Sequence, residues 1–324
     1  FLPDGALLIT EKAGELIHFK NGVKTNIDGL PEVYLRGQGG LMDIELHPNY
    51  IENGWLYLTH SSADGEGEGG NTALIRAQLS GSKLTSVERL YKAEQNTKRG
   101  QHFGSRIEFD ADGYLYFSIG DRGNRDVNPQ NLTRDCGKIY RINADGSIPN
   151  DNPFLEFPDA KTAIYSYGHR NPQGMVRHPD TGQIWVHEHG PRGGDEINRI
   201  KKGGNFGWPL ISYGINYSGT SFTKDTNLPG MEQPLFYWVP SIAPSGMAFI
   251  TSDMYPDWKN NLLVGSLKFE YIERLVIKNN TVIKREKLLE GIGRVRNVRQ
   301  GPDGYIYTAI ESVGIVKIIP NNNK

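Results

Sequence analysis

The sequence predicts an all-β chain folded as a six-bladed β-propeller of four-stranded antiparallel blades. Three observations predict it. A turn phrase recurs six times along the chain, the composition is rich in turn residues, and amphipathic helical periodicity is scarce.

The first copy is Leu2-Pro3-Asp4-Gly5, running into Ala6-Leu7-Leu8-Ile9. The second is His47-Pro48-Asn49-Tyr50, leading to Gly54-Trp55-Leu56-Tyr57, and the third is Asp110-Ala111-Asp112-Gly113, leading to Tyr114-Leu115-Tyr116-Phe117. The fourth is His178-Pro179-Asp180-Thr181-Gly182, leading to Gln183-Ile184-Trp185. The fifth is Tyr255-Pro256-Asp257-Trp258 with Leu262-Leu263-Val264, and the sixth is Gly301-Pro302-Asp303-Gly304 with Tyr305-Ile306-Tyr307. Proline presets φ, aspartate bonds its own backbone and glycine accepts a positive φ, so each copy is a turn feeding a strand. A spacing of roughly 45–75 residues suits four-stranded blades carrying insertions. The repeats run through residues 1–324, which predicts a single domain.

The composition agrees. The chain has 39 glycines, 18 prolines and only 37% hydrophobic residues, as expected where strands are half-buried. A formal net charge of −1 argues against a nucleic-acid partner, and no apolar stretch is long enough for a membrane span. Cys136 is the single cysteine, so no internal disulfide forms. The chain begins inside a repeat at Phe1, so a signal sequence is expected to precede it in the natural precursor.

Strands are expected at 7–10, 56–60, 73–79, 105–109, 114–119, 137–142, 183–188, 261–264, 305–310 and 314–319. Residues 1–12 are expected beside the C-terminal strands, which would remove an open edge. The long irregular stretches are 121–135, 143–160 and 202–238, and such loops are usually functional. The tail Asn321–Lys324 is expected to fray.

Several motifs carry little. Gly65-Glu66-Gly67-Glu68-Gly69-Gly70 matches a dinucleotide fingerprint in letters only. A strand-like run follows it, and its two glutamates would repel a pyrophosphate, so it reads as a surface hairpin. His187-Glu188-His189 puts two imidazoles on one strand face but lacks a third zinc ligand at a recognisable spacing. Asn131-Leu132-Thr133 is a formal glycosylation sequon that reads as a turn.

Chemistry concentrates in loops of different repeats. They are Gly37-Gln38-Gly39-Gly40, Gln101-His102-Phe103-Gly104, Gly168-His169-Arg170-Asn171-Pro172-Gln173-Gly174, Glu188-His189-Gly190-Pro191-Arg192-Gly193-Gly194-Asp195-Glu196 and Gly293-Arg294-Val295-Arg296, with Lys268 beside them. Loops converging at one propeller end would gather His102, Arg170, Lys268, Arg294 and Arg296 into a cationic cavity, which asks for an anionic ligand. Arg294 and Arg296 alternate onto one strand face and suit bidentate carboxylate binding.

These phrases, with Asn-Phe-Gly-Trp-Pro at 205–209 and Arg-Val-Arg-Asn-Val-Arg-Gln-Gly-Pro-Asp-Gly at 294–304, resemble the soluble PQQ-dependent glucose/sorbosone dehydrogenase family, in particular its aldose sugar dehydrogenase branch. The resemblance runs from Pro3 to Lys317. It implies a quinoprotein oxidoreductase that oxidises aldoses at C1 to lactones, with pyrroloquinoline quinone (PQQ), a flat quinone bearing three carboxylates, and Ca²⁺ as cofactors. By motif, His102 is the general base and Gln38 its neighbour over the substrate. Arg170 and Asn171 contact the quinone oxygens, and Lys268, Arg294 and Arg296 hold the carboxylates. The carbonyls of Gly190 and Pro191 bind the catalytic Ca²⁺, while Glu196 and the carbonyl of Phe206 serve a further Ca²⁺. The resemblance also implies an external electron acceptor and a periplasmic or secreted location.

The chain departs from the glucose dehydrogenase branch in two ways. It lacks that branch's longer insertions, which points to a monomer and a broader sugar range. It carries His189 where that branch tends to have glutamine. The alternative readings are a calcium-dependent propeller hydrolase of lactonase type, which would need ringed carboxylate and asparagine ligands, and a non-catalytic propeller that binds a protein.

Overall fold

The structure, a computed structural model, describes residues 1–321; the last three residues of the tail expected to fray lie outside it. It divides into two compact units. One comprises Phe1–Pro172 with Lys201–Pro209, and the other Gln173–Ile200 with the chain from Leu210 onward.

The first unit holds three antiparallel sheets. They are β1 (Leu7–Glu11), β2 (Glu15–Lys20) and β3 (Val23–Ile27); β4 (Leu41–Leu46), β5 (Trp55–Ser62), β6 (Asn71–Ser80) and β7 (Lys83–Lys92); and β8 (Ile107–Phe109), β9 (Leu115–Ile119), β10 (Lys138–Ile142) and β11 (Ile164–Tyr167). The second unit holds three more. They are β12 (Pro172–Arg177), β13 (Ile184–Glu188), β14 (Asp195–Arg199) and β15 (Phe236–Trp238); β16 (Pro244–Phe249), β17 (Leu262–Ser266), β18 (Ile272–Lys278) and β19 (Thr281–Leu288); and β20 (Val295–Gln300), β21 (Ile306–Ile310) and β22 (Gly314–Ile318). These are the six blades of a β-propeller, as the repeats predict. Two details differ. The first and last sheets have three strands rather than four, and β1 pairs with β2 in its own sheet instead of joining β22.

The repeat phrases do what their residues dictate. Gly113 and Gly304 take φ +84° and +80°, and Asp110 accepts backbone N–H groups from Asp112 and Tyr114. In two copies the turn tightens into a helical turn, α1 (Tyr50–Asn53) and a 3₁₀ turn at Pro256–Trp258.

Of the strands that follow, β9, β13 and β17 are buried throughout, β21 alternates and β1 is largely half-buried. Every residue of β9, β10, β13 and β17 is buried. Tyr57, Leu74, Phe109, Phe117 and Tyr140 pack into a core between the second and third sheets. Trp185, Trp238, Phe249 and Leu262 form another between the fourth and fifth. Each such side chain contributes about 1.5–3 kcal/mol on burial. The Gly65–Gly70 run connects β5 and β6, as expected for a hairpin; it is exposed at 65–68 and buried at Gly70. Asn131 closes a turn by accepting from the backbone and hydroxyl of Thr133.

Candidate active site

In the first unit the site is built where β8 begins and β9 ends. These strands pair antiparallel, so the loop entering one and the loop leaving the other lie side by side. Their approach needs glycine. A Cβ on Gly104 would sit 2.7 Å from the Gly120 nitrogen, and one on Gly120 would sit 2.4 Å from the His102 carbonyl. His102 itself adopts φ +56°, uncommon for a non-glycine residue. Its N–H donates to Gln38 Oε1 at 2.7 Å. Gln38 and His102 are therefore neighbours, as the motifs imply.

His102 Nδ1 lies 2.6 Å from Asp121 Oδ1. Asp121 is 1% exposed and fully engaged. Its Oδ1 also accepts the Gly123 N–H at 2.7 Å, and its Oδ2 accepts the Trp208 indole N–H at 2.8 Å. Burial disfavours the Asp121 charge, but the His102 hydrogen bond, the His102 and Arg170 charges and the Gly123 N–H outweigh it, and the carboxyl stays below its ordinary range. Burial pushes the His102 imidazole below its ordinary value; the Asp121 hydrogen bond opposes this, while Arg170 and Arg122 add to it. At neutral pH the pair is an ionised carboxylate accepting from a neutral imidazole, which assigns the proton to Nδ1 and the lone pair to Nε2. No hydrogen bond occupies Nε2 among the described residues.

Arg170 is 7% exposed, its guanidinium 5.3 Å from the Trp208 ring centroid, and its carbonyl accepts from Asp121 N–H at 2.7 Å. Asn171 is buried, and its Oδ1 accepts from Gly104 N–H at 3.2 Å. The Phe206 ring stacks on His169 at 4.5 Å. Asp121 and Trp208 received no role from the sequence. The available signal was Gly120-Asp121-Arg122-Gly123, a charged, glycine-flanked loop leaving a strand.

In the second unit, β13 and β14 are joined by a tight connection. A Cβ on Gly190 would lie 2.1 Å from the Gly194 carbonyl oxygen, so only glycine fits. Asp195 clamps this turn, accepting from Gly190 N–H and Ala243 N–H, each at 2.8 Å. The Pro191 carbonyl accepts from the Ser241 hydroxyl at 3.2 Å.

Glu188 and Glu196 are register partners across the two strands. Asn198 donates to both, at 3.0 and 3.3 Å, while its buried Oδ1 has no partner among the described residues. Burial and then the Glu188 charge push the Glu196 carboxyl up, with the Asn198 hydrogen bond opposing. His187 and His189 bond the Gly246 and Pro244 carbonyls, at 3.3 and 2.7 Å. Among the described residues no group of three or more His, Cys, Asp or Glu side chains is placed to hold a metal.

Lys268 is exposed, over the Phe269 ring. Arg294 precedes β20 and donates to the Leu267 carbonyl at 3.1 Å, so it lies beside the Lys268 segment. A bulge falls at Arg296, yet both guanidiniums reach one oxygen, Glu311 Oε2, at 2.9 and 2.6 Å. The pair meets on Glu311 despite the bulge, which interrupts strict alternation. The two side chains are 45% and 49% exposed, so they are not the enclosed cations expected of a cavity wall.

With this geometry in place, comparison with known proteins is decisive about family. The model of the Glucose / Sorbosone dehydrogenase family matches residues 1–317. The chain belongs to that family. It is 41% identical to the aldose sugar dehydrogenase YliI of Escherichia coli K12 over 99% of this chain and 89% of the relative. A crystal structure of the soluble aldose sugar dehydrogenase of Escherichia coli in its apo form superposes with a TM-score of 0.93 at 39% identity, covering 98% of this chain and 93% of that one. The PQQ-bound aldose sugar dehydrogenase of Streptomyces coelicolor gives a TM-score of 0.79 at 27% identity, covering 98% and 91%. The family read from the motifs is thus borne out across the chain. Among the described residues no helix is long and apolar enough to cross a membrane.

Proposed function

We propose that the chain is a PQQ- and calcium-dependent aldose sugar dehydrogenase that oxidises C1 of an aldose to the lactone, with His102 as general base. One observation carries this: an imidazole held neutral by burial and oriented by a buried carboxylate, with no hydrogen bond at Nε2 among the described residues. A neutral histidine accepts the anomeric hydroxyl proton as C1 loses hydride, worth about 10²–10⁴-fold. Asp121 stabilises the imidazolium that results, and Trp208 and Gly123 keep Asp121 from rotating. When bound, PQQ with Ca²⁺ would supply an electrophilic quinone as hydride acceptor.

The residues present suit such groups. Arg294 and Arg296 already meet on one carboxylate oxygen of Glu311, which stands in for an acid group of the cofactor. Lys268, Arg294 and Arg296 of the second unit would hold the carboxylates. In the first unit Arg170 and Asn171 would address the quinone oxygens. The carbonyls of Gly190 and Pro191, in the turn that Asp195 clamps, are hard donors for Ca²⁺. The neighbouring Glu188–Glu196 pair, with an Asn198 oxygen that has no partner among the described residues, favours a cation, which supports Glu196 as a ligand of a further one. The Phe206 carbonyl rests on the resemblance alone. A single domain over 1–324, a monomer, an external electron acceptor and a periplasmic or secreted location complete the proposal.

The test is reconstitution: PQQ and Ca²⁺ added to purified protein, with dye reduction followed across a panel of aldoses. Sugar-dependent reduction that requires PQQ is expected. Sugar oxidation without PQQ, or none with it, would overturn the reading.

A further inference from the structure

Behind His102 lies an arginine that the site motifs do not include. Arg122 is 1% exposed and adopts φ +54°. Its guanidinium packs 3.4 Å from the centroid of the Phe103 ring. Nη2 donates to the carbonyls of Gly70, at 3.2 Å, and Arg99, at 2.6 Å, while Nη1 donates to that of Gln101. Its own N–H approaches the His102 carbonyl at 3.4 Å. In return the Arg99 guanidinium donates to the Gly123 carbonyl. The segment before His102 and the segment carrying Asp121 are therefore braced against each other.

Arg122 pairs with no carboxylate among the described residues, and its Nε has no partner. A buried, unpaired charge is costly, and methionine would fill similar space against Phe103 without that cost. A fold that needed only packing has no use for the cation. The carbonyls use its fork, and His102 feels its charge.

We propose that Arg122 is a positioning residue for His102: its fork fixes the 99–103 segment, and its buried charge lies against the same segment. This rests on His102 being the base. The charged groups facing His102 are Asp121, which favours the imidazolium, and Arg170 and Arg122, which disfavour it. Arg122 in turn faces Asp121, Cys136, Tyr34 and Arg99, and burial lowers it to about 10, so it remains a cation at neutral pH.

Two variants separate fork from charge. Arg122→Met keeps length and packing but removes both, whereas Arg122→Lys keeps the charge and loses the fork. The His102 imidazole is titrated by NMR in cofactor-free protein, and turnover is then measured after loading with PQQ and Ca²⁺. In Arg122→Met the imidazole is expected to titrate higher than in the parent, with kcat down roughly tenfold or more. In Arg122→Lys the titration stays with the parent while kcat falls. A folded Arg122→Met protein with parental titration and parental kcat overturns the proposal. Should Arg122→Met not fold, Arg122→Lys decides: parental kcat overturns, and reduced kcat with parental titration supports. The NMR titration needs no cofactor. A shift there with no PQQ-dependent activity in the parent would sink the dehydrogenase reading while leaving the coupling of Arg122 to His102 in place.

Discussion

The segment around His102 and the segment around Arg294 solve opposite problems. His102 is held at its backbone and Nδ1 by Gln38, Asp121 and the Arg122 brace, and the polar groups around it are mostly satisfied by the protein itself. Arg294 and Arg296 stand about half exposed and share one carboxylate oxygen of an exposed glutamate. The difference is between chemistry and capture. A base must be held at the right angle and in the right protonation state before substrate arrives, which calls for burial and a fixed network. Side chains that capture a charged ligand need reach and adaptability, and solvent screening keeps their existing ion pairs weak and exchangeable.

If that contrast holds, damage to the two segments differs in kind. The largest effect belongs to His102→Gln. Glutamine keeps hydrogen-bonding capacity and approximate size but accepts no proton at neutral pH. Folding and PQQ binding should stay close to parental while sugar oxidation falls by about 10²-fold or more. Near-parental turnover would erase the contrast.

Asp121→Asn comes next. The amide has one acceptor where the carboxylate has two, so it can accept from Trp208 or from Nδ1 but not both, and the tautomer is no longer enforced. A loss of roughly 10–10² in kcat is expected, milder than removing the base. Because the carboxylate favours the imidazolium, its removal should move the His102 titration to lower pH, opposite to the shift expected from Arg122→Met. A carboxylate held below its ordinary range stabilises the fold above that range and loses the contribution as pH falls through the lowered value, so the parent should lose stability in acid more steeply than Asp121→Asn. Thermal melts from neutral to acidic pH would show whether the two curves converge.

The sequence made much of this legible, unevenly. All ten expected strand runs fall on strands, because inner strands such as β9 and β13 are apolar and follow the Pro/Asp/Gly turns. The outer strands passed unnoticed. In β7, β3 and β19 most residues face solvent, so polar and charged side chains erase the alternation that reveals a half-buried strand. At the site, His102, Gln38, Arg170 and Asn171 stand in glycine-rich phrases that read as loops. Asp121 and Trp208 are 87 residues apart and meet only through folding, and no local spacing announces such a pair. The Arg294–Arg296 pairing was expected from alternation and survives the bulge at Arg296, but Glu311 was not readable, because it arrives from the turn after β21.

Arg294→Ala or Arg296→Ala should produce the reverse pattern to His102→Gln. Each loses a charge-assisted bond worth about 1.5–3 kcal/mol, so PQQ binding weakens by roughly tenfold or more. Saturating PQQ should restore most of the rate. Titration of PQQ against each variant checks this, and parental affinity in either would remove that arginine from the capture set.

The smallest effect concerns the metal. If carbonyls of the Gly190–Pro191 turn and a cofactor oxygen share one Ca²⁺, each ligand raises the affinity for the other. PQQ should bind more tightly in calcium than in chelator, and equal affinities would dismiss the shared site.

The central claim is that His102 is a base held neutral by its surroundings, and the pH dependence of kcat/KM tests it most directly. In the PQQ-loaded parent, kcat/KM should fall as pH drops through a value below the ordinary histidine range, and His102→Gln should lack that limb. A parent with no such limb, or a His102→Gln enzyme that keeps it, would contradict the account.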